Sequence, residues 1–197
     1  MLKGSDVLAQ PMVTLLLVSE QDIASTIQGD ALLSRGGWVQ KSNIEGGRVW
    51  KHENKDVWLW WFDAGFLMED GLDERFSSGS GQCVDEVIFL SRHYAASGRP
   101  SLTLHVLGVP GEYPHGERAE HGGIKGKVML PNPRFASWYR LMCDAAHRHQ
   151  LVPEFELTIE TTHHGPCLAV PTMFIEIGSS ETHWGRVDAA EAWADVM

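Results

Sequence analysis

The sequence predicts an α/β protein with a mixed or mostly parallel sheet flanked by helices. Met12–Ser19 is an unbroken β-favouring run, the pattern of a strand buried on both faces, and residues 22–35 follow with helical spacing at Ile23, Ile27 and Ala31. Further short apolar runs recur at Val57–Phe62 and at residues 84–90, 102–106 and 173–177. Helix signals alternate with them, at Asn132-Pro133 and over residues 182–197, and such alternation is how layered α/β proteins are written.

The elements follow in order. Gly36-Gly37 stops the first helix. Arg48-Val49-Trp50 and Val57–Phe62 read as strands joined by a polar turn; their tryptophans either pack a core or offer a stacking surface for bases. Residues 63–82, acidic and then rich in Gly and Ser, read as a long surface loop or a short helix plus loop. The strand over 84–90 runs straight into Ser91-Arg92-His93, and polar residues just past a strand are where open α/β sheets place their chemistry. Arg99-Pro100-Ser101 turns the chain back into the strand over 102–106, on which Thr103 and His105 share one face. Residues 109–126 form an irregular loop, long enough for a lid or a binding loop. The helix opened by Asn132-Pro133 runs to about His149 and buries Phe135, Trp138, Met142 and Ala145. Residues 154–160 are β-rich. The last helix lacks a closing signal, so the sequence is expected to end inside an element. The expected organisation is a flexible extension over residues 1–11 and one domain over 12–197, incomplete at its C-terminus.

At 197 residues and 43% hydrophobic content, the chain has ample material for a core. Three cysteines with no C-x-x-C pair argue against a disulfide framework and point to a reducing compartment, the cytoplasm; residues 1–11 leave organellar targeting open. The longest clean apolar run, Val13 to Val18, is far short of the roughly 20 residues a membrane span needs. A net charge of −10 speaks against wholesale nucleic-acid binding, although residues 91–150 are locally net positive. A local basic face can touch the end of a polyanion, or be an ordinary solvated helix face. No dinucleotide fingerprint, phosphate loop, nucleophile elbow or His-Glu-x-x-His is present.

The densest chemistry lies in Glu160-Thr161-Thr162-His163-His164-Gly165-Pro166, followed by the strand carrying Glu176. Consecutive strand residues face opposite ways, so His163 and His164 share a site only where the backbone has left strand geometry, a break that Gly165-Pro166 supplies. Gathered by strand end, Ser91, Arg92, His93, Thr103, His105, Thr162, His163, His164 and Glu176 converge if their strands are neighbours. Three imidazoles, or two and Glu176, suit zinc with a position open for water. Without metal, an imidazole serves as base toward water or toward Ser91, and the amides of Gly165 or Gly178 are candidates for holding an oxyanion. The residues do not separate ligands from proton carriers. The division adopted is His93, His105 and His163 for metal, His164, Glu176 and Ser91 for catalysis, and Arg92, Thr103, Thr162, Gly165 and Gly178 for substrate.

The blocks Val84-Asp85-Glu86-Val87-Ile88-Phe89-Leu90-Ser91-Arg92-His93, Thr162-His163-His164-Gly165-Pro166 and Pro171-Thr172-Met173-Phe174-Ile175-Glu176-Ile177-Gly178-Ser179 resemble the archaeal and plant type of D-aminoacyl-tRNA deacylase. The resemblance covers nearly the whole chain from Met12. It implies hydrolysis of the ester joining a D-amino acid to the terminal ribose of tRNA, a zinc requirement, and a fold related to phosphorylases and peptidyl-tRNA hydrolases. The implied partner is a tRNA acceptor end carrying a D-amino acid; the short apolar runs imply no membrane, and no protein partner is inferred. Members of that family run on into a Gly-Gly-Gly-His-Tyr-Ala-Pro motif beyond the point matching Met197. The chain is therefore expected to be C-terminally truncated relative to them. The alternative is a catalytically weak relative that binds the acceptor end.

Overall fold

The computed structural model describes residues 12–113 and 118–197; the expected extension over 1–11 lies outside them. In chain order the elements are β1 (Met12–Ser19), α1 (Ile23–Ser34), β2 (Trp38–Ile44), β3 (Gly47–His52), β4 (Val57–Phe62), α2 (Leu72–Ser80), β5 (Cys83–Arg92) and β6 (Ser101–His105). Then come β7 (Gly108–Val109), α3 (Arg118–His121), β8 (Lys127–Val128), α4 (Phe135–Arg148), β9 (Glu156–Ile159), β10 (Thr172–Gly178), α5 (Glu181–Trp184) and α6 (Val187–Ala194). Eight strands form one mixed sheet in the order β2-β3-β4-β1-β5-β10-β6-β9. Its centre, β4-β1-β5-β10, is parallel; β6 runs against β10 and β9 runs with β6.

Strand alternation sorts the core into two layers. Leu16, Val18, Leu90, Leu104, Ile175 and their neighbours meet α1, α4 and α6 on one face. Leu15, Leu17, Phe89 and Phe174 meet Phe66 and α2 on the other. On that second face the apolar rows give way to polar ones. Beyond Phe89 on β5 comes Ser91, paired across the ladder with Glu176, which in turn pairs with Thr103; Phe174 pairs with His105.

Several elements differ from expectation for local reasons. β2 was not foreseen, because Val39 to Asn43 are exposed on a sheet edge and show no buried face. Residues 63–82 do hold a helix, α2. Asn132 accepts from the Arg134 amide (2.8 Å) as a turn residue, and the helix proper opens three positions later, at Phe135. The expected last helix is two, divided at Gly185-Arg186. Trp58, Trp60, Trp61 and Trp193 are buried, which settles those rings as core and not as a base-stacking surface. The basic residues of α4 ride on the layer away from the polar rows, where Arg148 pairs with Asp195. No helix among the described residues is long and apolar enough to cross a membrane.

Candidate active site

Three strand ends deliver the imidazoles. His105 closes β6 with its ring fully buried. His163 and His164 follow β9 in a turn that bridges to Leu107 and accepts the Gly108 amide on the His164 carbonyl (2.8 Å). His164 has φ +46°, a left-handed conformation that costs an L-residue about 1–2 kcal/mol. That twist brings two neighbouring rings to one side, their centroids 4.4 Å apart. His105 lies 4.2 Å from His163 and 4.9 Å from His164, and Phe174 backs His105 at 5.2 Å.

The tautomers follow from the partners. Nδ1 donates to the Val106 carbonyl in His105 (3.1 Å), to Thr161 in His163 (2.7 Å) and to Gly165 in His164 (2.6 Å). A carbonyl only accepts, so each neutral ring carries its proton on Nδ1 and its lone pair on Nε2. This outer anchoring is the pattern that orients metal-binding imidazoles. One ring nitrogen from each of the three lies within 4.8 Å of the others, and the buried Nε2 of His105 has no hydrogen-bond partner.

A second set adjoins the first. His93 Nδ1 stands 2.9 Å from Glu160 and 3.5 Å from Glu176. The two sets share walls, with Glu176 3.8 Å from His105 Nε2 and Glu160 3.6 Å from His163 Nε2. Both face a cavity of about 550 Å³ lined by Ser91, Arg92, His93, Glu160, His163 and His164, among others.

Burial would pull the His93 pKa down, but Glu160 and Glu176 outweigh it and raise it to about 10. Burial would raise Glu160, yet His93 holds it at about 2. His105 is raised, its burial overcome by Glu176. His163 is lowered by burial and by the charge on His105; His164 falls further, through burial and both neighbouring rings. These directions fix a pH optimum for chelated protein. His93 and His105 contribute stability that is complete below the ordinary 6.5 and lost as pH climbs. His163 and His164 contribute stability present above 6.5 and lost on acidification, when the unfolded chain takes up protons that the fold refuses. The midpoint of thermal unfolding, followed by calorimetry in chelator, therefore peaks near pH 6.5; a midpoint still rising two units above that contradicts the scheme.

The expected site residues fall into different groupings and, in places, different roles. His164 joins His105 and His163, while His93 joins the two glutamates. Ser91 lines the cavity, but its hydroxyl turns to the Asp22 carboxylate (3.2 Å), not to an imidazole. Arg92 lines the cavity, whereas Thr103 is wholly buried beneath it and Thr161, not Thr162, reaches the lining. The Gly165 amide donates to the His121 carbonyl (3.0 Å), so it is not open to an oxyanion. A Cβ on Gly165 would stand 2.4 Å from the Gly123 nitrogen, and one on Gly178 2.7 Å from the His93 ring. Both glycines make room for close approach. Two residues were missed, Glu160 and Asp22. Asp22 caps α1 through Ala24 and Ser25 and also takes the Arg92 amide (2.9 Å), tying the end of β5 to the helix start. The helix-start pattern at Asp22 was the available signal. The loop over 109–126 contributes His121 to the lining.

The family model described as D-aminoacyl-tRNA deacylase matches residues 80–197. The D-aminoacyl-tRNA deacylase of Arabidopsis thaliana is 45% identical over 186 residues, covering 94% of this chain and 58% of that protein. That of Archaeoglobus fulgidus is 31% identical over 184 residues, covering 93% and 62%. The chain thus spans about three fifths of the length of these curated relatives. The crystal structure of a conserved protein of unknown function superposes with a TM-score of 0.81 at 30% identity, covering 95% of this chain and 62% of that one. Futalosine hydrolase of Helicobacter pylori superposes with a TM-score of 0.53 at 11% identity over 94% and 95%, a likeness in fold alone. The matched segment is more than half of the chain and holds β5, His93, His105 and the paired imidazoles. On that footing the chain belongs to the D-aminoacyl-tRNA deacylase family.

Proposed function

We propose that this cavity hydrolyses the ester of D-aminoacyl-tRNA, releasing the D-amino acid and free tRNA. The observation that carries the reading is the shared wall between a three-imidazole set and a His-Glu-Glu set on one cavity, in a chain of this family. Zinc fits the donors. His105, His163 and His164 present Nε2 atoms from rings anchored at Nδ1, and an unpartnered buried Nε2 on His105 is the donor such an ion satisfies. His93, Glu160 and Glu176 offer a second place of mixed nitrogen and oxygen character. A cation there supplies Lewis-acid polarisation of the ester carbonyl and of water.

In hydrolysis the water oxygen bonds to the ester carbon, the bond to the ribose oxygen breaks, and a proton passes from the water to that oxygen. Glu176 lies between the two sets, near both His105 and His93, and is placed to carry this proton. His93, itself paired with Glu160, holds its orientation. Arg92 lies on the same cavity and is the one guanidinium in its lining among the described residues.

Deacylation of D- and L-aminoacyl-tRNA, with and without chelator, tests the proposal. D-selective release that chelator abolishes and added zinc restores is expected, with elemental analysis giving one or two zinc ions per chain. Zinc-replete protein that releases nothing at high concentration, while still binding tRNA, marks a binding module instead.

A further inference from the structure

We propose that Tyr94 is the stacking platform for the terminal base of the tRNA, with Arg92 meeting the adjoining phosphate; this rests on the deacylase reading above. Tyr94 follows His93 and shares its cavity. It is 74% exposed, and it is the one aromatic ring among the exposed large apolar side chains of the described residues. An aromatic face left in water beside a nucleic-acid ester site has an obvious ligand in a nucleobase, since every base offers a π-face.

The ring projects from a fixed backbone. The His93 amide donates to Ile177 (2.9 Å), the Trp184 indole to the His93 carbonyl (2.8 Å), and the Ala95 amide to Ser179 (3.3 Å). The backbone on either side of Tyr94 is thus held, so a ligand that meets the ring need not order the segment that carries it.

Charge sets the orientation. Glu160 and Glu176 make the wall beside the imidazoles acidic, whereas Asp22 is turned to the Arg92 amide and the Ser91 hydroxyl. The Arg92 guanidinium makes no ion pair among the described residues; it lies 4.9 Å over the Trp184 ring, which steadies the cation without neutralising it. Phosphates are therefore drawn to the Arg92 and Tyr94 side and turned from the carboxylates, while the uncharged ester reaches the imidazoles.

The test uses a fluorescent acceptor-stem minihelix ending in CCA beside the same RNA with an abasic terminal nucleotide. Wild type is expected to prefer the intact end by about tenfold, within the range for base–aromatic stacking. Tyr94→Ala loses that preference and Tyr94→Phe keeps it. In turnover, Tyr94→Ala raises KM about tenfold with a far smaller change in kcat. A Tyr94→Ala protein that still prefers the adenine end, or a wild type that shows no preference, overturns the proposal. An effect of Tyr94→Ala that follows the amino-acid side chain and ignores the base also overturns it, placing the ring on the amino acid. Because binding is read without turnover, a wild type that keeps the preference but fails to deacylate sinks the hydrolase reading alone.

Discussion

On the proposed deacylase reading, replacing His164 by alanine is expected to lower kcat/KM for D-aminoacyl-tRNA by about a thousandfold or more, a loss of the size seen when a central acid–base or ligand group is removed. The ring sits 4.9 Å from His105 and 4.4 Å from His163, so its removal leaves a two-imidazole remnant. The fold survives, because the turn is held by backbone: the Gly108 amide on the His164 carbonyl and the Gly165 amide on His121. His164→Ala adds a small penalty, since alanine tolerates φ +46° less well than histidine. Zinc content measured with the kinetics separates two ways of failing. A drop in metal names His164 a ligand; full metal with no turnover names it a proton carrier. Wild-type turnover removes it from the mechanism.

Phe174→Ala costs about 3–5 kcal/mol of stability, the usual toll of emptying a buried aromatic site. The ring is 1% exposed and stacks on Phe89 at 4.5 Å with planes 7° apart. Its other surface carries His105 at 5.2 Å and His164 at 5.0 Å, so activity falls together with stability. Denaturant titration and kinetics at a temperature where the variant stays folded read the two losses separately. A stability change below about 1 kcal/mol would show that the neighbouring rings collapse into the gap.

The parallel strands were legible because a strand buried on both faces is a near-continuous apolar run, as β1 and, but for Glu176, β10 are. Edge strand β2 was not, since its exposed residues leave no pattern. The chemistry of the site could be read from the histidines and from the break after the strand over 154–160. Their grouping could not, because it depends on which strands are neighbours. Glu160 shows this best: it becomes a site residue only through the β6–β9 pairing, whose register carries it past Thr158 to the level of His105. Gly165 was misread for a different reason. In a motif a glycine serves equally well as an amide donor or as an absence of Cβ, and only packing tells the two apart.

The rungs that hold Ser91 and Glu176 belong to the same strands that seat Phe89 and Phe174, and Thr103 is on the next strand, β6. Floor and foundation are one piece of masonry. A change on β5, β6 or β10 is therefore judged twice, once for what it does to the scaffold and once for what it does to the reaction. This leaves the far edge of the sheet, β2 and β3, as the place where such a protein is free to vary.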